Sequence, residues 1–397
     1  MRFFCLHNTL ELDAARPVSD MAAFFDYQPA PSAALTLTLA RERGCVSVCL
    51  QGAEQSFTAS EHCSEAAASG EVTRCVKLVV LKVFAELTGL QPKLPWGILT
   101  GVRPTKLAHK LLDSGVEAAV LPEYLSENYL LPMAQGRLLT DIALKQKHIL
   151  SDSTRLTDTG IYIGVPYCHS RCSYCSFPAG IVPQDEESQQ NFVNMIEQDL
   201  QNVVQLISMH SLRVKSLYIG GGTPTSLSDK VFARLLQAVE RKLLQSNCEG
   251  LQHLREFTVE AGRPDCFSAA KLAAMEAAGV NRISVNPQSF HDKTLQLIGR
   301  RHSVRDFYNA YELVRKSRIP VVNVDLIIGL PQETEQEIAY SLEQAVKLAP
   351  ENLTVHTLTL KRSAPLFQKQ EQAVLTTQAA EKMVQRAAEM AAAIGLE

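Results

Sequence analysis

The sequence predicts an α/β protein, a partial (β/α)6 barrel preceded by a smaller α+β domain. Three observations predict it. From residue 161 onward strand and helix patterns alternate six times. Nearly every chemically notable motif in that stretch falls at or near the end of a strand. The first 155 residues follow a different pattern, so the expected division is an N-terminal α+β domain with a helical linker region over 1–155 and the barrel over 156–397.

At 397 residues the chain is long enough for two domains with ample core. A formal net charge of −3, with both signs spread along the chain, argues against nucleic acid as a partner. No stretch approaches the ~18 apolar residues of a membrane span, and residues 1–7 lack the apolar run of a signal peptide. A cytoplasmic protein is expected. In a reducing compartment its ten cysteines read as metal ligands, catalytic thiols or buried apolar groups rather than disulfides.

In the first domain, residues 35–39 and 46–48 alternate with period two and read as strands of a small sheet. Cys45 and Cys49 would share a face of such a strand roughly 13 Å apart, too far for one small site. Residues 72–87 repeat apolar side chains at i, i+3 and i+4, and Gly89 ends that helix. Pro92 and Pro95 break the chain, 99–106 leads into a second helix, and helical pattern resumes over 132–150. The polar run 151–154 reads as a linker.

In the second domain strands are expected at 161–165, 216–219, 256–260, 282–285, 321–328 and 353–360. Helices follow at 188–207, 229–244, 268–278, around 294, at 304–315, 334–348 and 377–393. Strands each followed by a helix pair in parallel through right-handed crossovers. Six units are too few for the eight-fold barrel, and a partial barrel carries its functional residues at the C-terminal strand ends.

The motifs fit that frame. Cys168, Cys172 and Cys175 follow the first strand with C-x3-C-x2-C spacing. Three thiolates from one loop hold three irons of a four-iron cluster and leave the fourth open. A zinc site would usually show a second C-x2-C pair, and none exists. Gly220-Gly221-Gly222-Thr223-Pro224 follows the second strand, where glycines let backbone approach a ligand, although glycine after a strand is also common turn chemistry. Glu260 ends the third strand, Asn286-Pro287-Gln288 follows the fourth, and Asp325 lies in the fifth. Alone, Glu260 reads equally as a surface carboxylate and Asp325 as a cap. Beside a cluster loop both become candidates for bonding ligand hydroxyls.

The C-x3-C-x-aromatic-C run, with Tyr174 as the aromatic, resembles the radical S-adenosylmethionine superfamily. That resemblance implies a [4Fe-4S] cluster whose open iron is chelated by S-adenosyl-L-methionine, with one electron cleaving the sulfonium to a 5′-deoxyadenosyl radical. Within the superfamily the chain is similar to the oxygen-independent coproporphyrinogen III dehydrogenase family, HemZ-type branch. The matching pieces run in order at 101–106, 162–177, 218–225, 258–264, 284–290, 298–302 and 323–331, and span more than half the chain.

Carried over, the resemblance implies that Cys168, Cys172 and Cys175 hold the cluster. Tyr162 and Gly221, Gly222 and Thr223 would line the methionyl portion of the ligand, with Tyr174 beside the cluster. Glu260 would bond the ribose hydroxyls, Arg300 would pair with the ligand carboxylate, and Gln288 and Asp325 would complete the nucleoside pocket. Arg171, Arg263, Arg301, His302 and Arg305 are candidates for the substrate's carboxylates, or are solvated surface charges.

Two departures bear on substrate. The family's dehydrogenases carry a fourth cysteine where this chain has Phe177, and a histidine where it has Gly164. The family also continues into a C-terminal domain beyond the point where this chain stops at Glu397, so either a fragment or a form with an open site is expected. The implied function is oxidative decarboxylation of coproporphyrinogen III propionates to vinyl groups, with a reductant such as flavodoxin or ferredoxin as partner. The alternatives are a haem-binding or haem-delivery protein, or another radical enzyme acting on a tetrapyrrole by methyl transfer or ring opening.

Overall fold

The computed structural model describes residues 2–100, 103–151, 157–359, 361, 363–368, 377–393 and 395. Of the expected linker at 151–154 only Ser151 lies within them, and Gly101, Val102, Leu360 and Glu397 lie outside. The chain forms two compact units, Met1–Thr154 and Arg155–Glu397.

The first unit contains strands β1 (Arg2–Asn8), β2 (Tyr27–Pro29), β3 (Thr36–Glu42), β4 (Cys45–Gln51) and β5 (Ser56–His62), and helices α1 (Ala15–Ala22), α2 (Ser69–Thr88), α3 (Pro104–Asp113), α4 (Leu121–Tyr129) and α5 (Met133–Ser151). Its sheet has the order β2-β1-β3-β4-β5. Helix α2 covers the sheet, burying Val76, Val79, Val80, Val83 and Phe84 against Phe4, Leu37, Leu39 and Val48. The sequence exposed only β3, β4 and three of these helices. β5 reads Ser-Phe-Thr-Ala-Ser-Glu-His and buries none of its residues, so it lacks the apolar alternation that marks a strand. Cys45 and Cys49 do stand four apart on β4, each paired across to β3 and β5.

The second unit is built on six parallel strands: β6 (Asp158–Val165), then, past the two-residue β7 (Tyr167–Cys168) and β8 (Gly180–Ile181), β9 (Arg213–Gly221), β10 (Glu256–Glu260), β11 (Arg282–Ser284), β12 (Val321–Ile328) and β13 (Asn352–Thr357). Their spatial order is their chain order, β6-β9-β10-β11-β12-β13, and every pairing is parallel. This is the strand–helix progression of the partial barrel.

Helices α6 (Glu186–Met209), α7 (Asp229–Val239), α8 (Ala269–Ala277), α9 (Asp292–Leu297), α10 (Val304–Arg315), α11 (Glu335–Lys347), α12 (Pro365–Gln368) and α13 (Thr377–Ala393) fill the connections. Asp185, Ser228 and Ser268 cap α6, α7 and α8 through side-chain oxygens. Ser303 with Asp306, and Thr334 with Glu337, form capping boxes on α10 and α11. The helix expected over 229–244 ends at Val239 and continues as a π turn over Glu240–Leu244.

Between helices and sheet lies one continuous core. It includes Ile163, Val165, Leu217, Ile219, Phe257, Val259, Ile283, Val322 and Val324 from the strands, with Phe192, Phe232, Leu235, Met275 and Phe307 from the helices. The opposite face of the sheet is polar, and it carries the candidate site.

Candidate functional site

The cysteine loop leaves β6 and is tied down by backbone bonds. The Gly222 N–H donates to the Val165 carbonyl at 2.8 Å and the Thr223 N–H to the Tyr167 carbonyl at 2.7 Å. The Val182 N–H donates to the Cys168 carbonyl at 3.0 Å and the Ser173 N–H to the Ile298 carbonyl at 3.0 Å. The glycine run after β9 is thus pressed against the loop. A Cβ on Gly222 would lie 2.5 Å from the Tyr167 carbonyl oxygen, so only glycine fits there.

One cavity opens beside this loop. Cys168, Cys172, Tyr174, Cys175, Gly222, Thr223, Glu260, Arg300 and Asp325 line it, nine of the twelve residues singled out in the sequence. All three thiols are free. Thr223 Oγ1 lies 3.4 Å from Cys168 Sγ. Burial pushes the Cys168 thiol up, the Thr223 contact and the Arg263 charge draw it down, and the other two cysteines push it up.

Tyr162, Gly221 and Gln288 stand outside that lining. Tyr162 is more than half exposed and stacks on Tyr218, with ring centroids 5.8 Å apart. Gly164, two residues on, makes room for it, because a Cβ there would meet the Tyr162 ring at 3.3 Å. Gly221 adopts φ +115° as the chain turns off β9. Gln288 sits at φ 67°, an uncommon conformation for a non-glycine residue. Its N–H donates to the Asp325 carbonyl at 3.0 Å, and its buried Oε1 has no hydrogen-bond partner among the described residues.

Glu260 closes β10 with its carboxylate half-buried. Burial pushes it above the usual carboxylate range and the Asp325 charge adds to this, while the Tyr218 hydroxyl and the Gly221 N–H pull it back. Asp325 accepts from Asn286 Nδ2 at 2.8 Å and Asn323 Nδ2 at 2.7 Å. The second of these asparagines accepts in turn from Thr354 Oγ1 at 2.9 Å. His356 lies 3.8 Å from the Asp325 carboxylate, and that contact raises its pKa despite partial burial. Asn323 escaped the sequence reading, although it stands two residues before Asp325 and so faces the same way on β12.

Arg300 is 8% exposed and donates to the Gly262 carbonyl at 2.7 Å, the Asn286 carbonyl at 3.2 Å and the Tyr174 hydroxyl at 3.2 Å. Burial raises the Tyr174 hydroxyl to about 12, so at neutral pH it is an uncharged donor and acceptor.

Among the candidate substrate cations, Arg171 is exposed and reaches the cavity. Arg301 and Arg305 are exposed away from its lining. Arg263 and His302 correct the expectation of solvated charge. Both are 3% exposed. Burial, reinforced by the nearby Arg300 charge, lowers His302 to about 4, so it is neutral at pH 7 and offers a substrate no cation.

A sequence model of the Radical SAM superfamily matches residues 162–345. The chain is 37% identical over 304 residues to the oxygen-independent coproporphyrinogen-III oxidase-like protein HemZ of Bacillus subtilis, covering 76% of this chain and 59% of that protein. It is 36% identical over 203 residues to the heme chaperone HemW of the same organism, covering 50% of each. The chain therefore spans between half and three fifths of the length of these relatives. Among solved structures, the coproporphyrinogen III oxidase HemN of Escherichia coli superposes with a TM-score of 0.52 at 21% identity, over 63% of this chain and 56% of that one. The matched domain and the cysteine loop lead to one conclusion: residues 162–345 form a radical SAM domain, of the superfamily that uses a [4Fe-4S] cluster and S-adenosylmethionine.

Proposed function

We propose that the chain is a radical SAM enzyme of tetrapyrrole metabolism, an oxygen-independent coproporphyrinogen III dehydrogenase-like protein working in the cytoplasm. The observation that carries this reading is the convergence of three free thiols, a glycine cradle, two carboxylates and a buried arginine on one cavity at the C-terminal strand ends. That donor set fits the superfamily's cofactors. Cys168, Cys172 and Cys175 would hold the cluster. Gly222 and Thr223 would let the ligand's amino-acid end approach the backbone. Glu260 would accept from ribose hydroxyls, and Asp325, fixed by Asn286 and Asn323, would face the nucleoside.

Arg300 has already committed donors to two carbonyls and to Tyr174, so its role toward a ligand carboxylate is one of remaining N–H groups and charge rather than of a free fork. Tyr162 and Gln288 would act from the margin, Tyr162 by backing Tyr218 and Gln288 by fixing the backbone of Asp325. Bound together, cluster and ligand supply a radical able to take hydrogen from an unactivated carbon. The residues around them orient the ligand and limit water. For a propionate side chain, loss of that hydrogen, of carbon dioxide and of one electron leaves a vinyl group. A flavodoxin or ferredoxin would supply reducing electrons. Residues 156–397 would form the catalytic domain and 1–155 a separate one. Among the described residues no helix is long and apolar enough to cross a membrane.

Phe177 favours a second reading. It and Ile181 are exposed at the cavity and give it an apolar lip suited to the face of a macrocycle. Such a lip serves haem binding and delivery as well as turnover, and HemW proteins are among the relatives. The deciding experiment is anaerobic incubation of reconstituted protein with reductant, S-adenosylmethionine and coproporphyrinogen III. Protoporphyrinogen formation supports the enzyme. Formation of 5′-deoxyadenosine without it, with stoichiometric haem binding, supports the chaperone. Methylated or linear tetrapyrroles would identify a different radical enzyme.

A further inference from the structure

Arg263 stands three residues beyond Glu260, in the loop that leaves β10. It is 3% exposed and, among the described residues, its side chain donates three hydrogen bonds: to Ser170 Oγ at 2.8 Å, to the Ser170 carbonyl at 2.7 Å and to Cys172 Sγ at 2.8 Å. None of these acceptors is a carboxylate. A guanidinium keeps its proton in proteins, and burying a charge without a counter-charge is costly. Of the three acceptors, the Cys172 sulfur alone can itself become a full anion. Cys172 is 6% exposed, so water screens this contact poorly.

The geometry explains why the residue is an arginine. Nη1 reaches the Ser170 hydroxyl while Nη2 reaches both the Ser170 carbonyl and the Cys172 sulfur. A planar fork spans that set, and a lysine ammonium on a flexible stem does not hold it with fixed orientation. The two bonds to Ser170 lock the fork onto the segment between the first two cysteines.

We propose that Arg263 sets the reduction potential of the cluster held by the cysteine loop, through its bond to Cys172 Sγ. The inference rests on the reading of these cysteines as cluster ligands. Hydrogen bonds to ligating sulfurs and net charge near the cluster are principal determinants of such potentials. Reduction adds negative charge, so a fixed cation in contact with a ligating sulfur stabilises the reduced state more than the oxidised one. Arg263 thereby eases the electron transfer that starts the radical chemistry. It is a positioning residue that acts through Cys172.

The test uses the full chain, reconstituted anaerobically with iron and sulfide, and a redox titration followed by EPR. Arg263→Gln keeps a donor and removes the charge. It is expected to bind as much iron as wild type while its one-electron reduction constant falls at least tenfold, a midpoint lower by about 59 mV. Arg263→Lys, which keeps charge without the fork, is expected to fall between the two. If Arg263→Gln takes up no iron, Ser170→Ala decides, because losing one anchor should lower the constant in the same direction by a smaller factor. A wild-type midpoint in Arg263→Gln, or in Ser170→Ala where that variant decides, overturns the inference. A wild-type chain that binds no cluster, against the ~4 irons such a centre requires, overturns the reading of the cysteines instead, and the two failures are told apart by iron content.

Discussion

The Tyr218 hydroxyl donates to the Glu260 carboxylate across adjacent strands β9 and β10. Burial favours the protonated form of Glu260, and this bond favours the ionised one. The Tyr218→Phe variant should therefore raise the pH at which Glu260 ionises. If Glu260 accepts from ribose hydroxyls, S-adenosylmethionine binding at neutral pH should weaken by roughly tenfold, about the worth of one hydrogen bond to a charged group. Calorimetric titration across pH 5 to 9 checks this, and an unmoved midpoint would contradict it.

Phe177→Ala removes the largest apolar side chain of the cavity lip without touching a cysteine. Iron content and S-adenosylmethionine binding should stay at wild-type level. Porphyrin affinity should fall about tenfold, in line with roughly 1.5 kcal/mol of lost apolar contact. Fluorescence quenching by the porphyrin reads it directly.

Gly222→Ala places a methyl group 2.5 Å from the Tyr167 carbonyl oxygen, an atom of the backbone that carries Cys168. Nothing flexible can yield there, so the loop and the glycine run must part. The expected result is a loss of about 3 kcal/mol or more of stability together with poor retention of iron. Gly279→Ala is the control. It also has positive φ, but its Cβ would meet open space, so it should cost only about 1 kcal/mol and leave iron unchanged.

Glu333 supplies a pH test away from the cavity. It is 7% exposed, accepts from Ser289 Oγ at 2.5 Å, and is raised by burial to about 7. The folded chain holds this proton more tightly than the unfolded one. Its contribution to stability is therefore fully present below about pH 4.5 and is lost as pH rises through about 7. Glu333→Gln should melt like wild type at pH 4.5 and be more stable at pH 8, by up to about 3 kcal/mol. Equal melting points at pH 8 would contradict it.

The sequence carried the barrel well because its strands are apolar and short, and its helices announce themselves by caps. Val321–Ile328 is buried along most of its length, and Ser303 and Thr334 start their helices where expected. The cysteine loop was legible because spacing alone defines it. Less legible was anything that depends on which way a side chain turns. Tyr162 lies on the polar face of β6 yet stacks outward on Tyr218, and Gln288 turns its amide into the interior. Arg263 looked like one more surface cation, because a string of letters does not show that its partners come from ninety residues earlier. The polar strand β5 was missed because little in it is apolar, and α1 because its helical spacing of Val18, Met21 and Ala22 runs for only eight residues.

Backbone from four separate segments grips the cysteine loop. Gly222 and Thr223 hold it from one side, Ile298 from another, Val182 from a third, and Leu366 donates to the Ser173 carbonyl at 2.7 Å. A cradle braced in this way sets the spacing of its three thiols through main-chain bonds, so a change in any one of these distant segments should be felt at the sulfurs without a cysteine being touched.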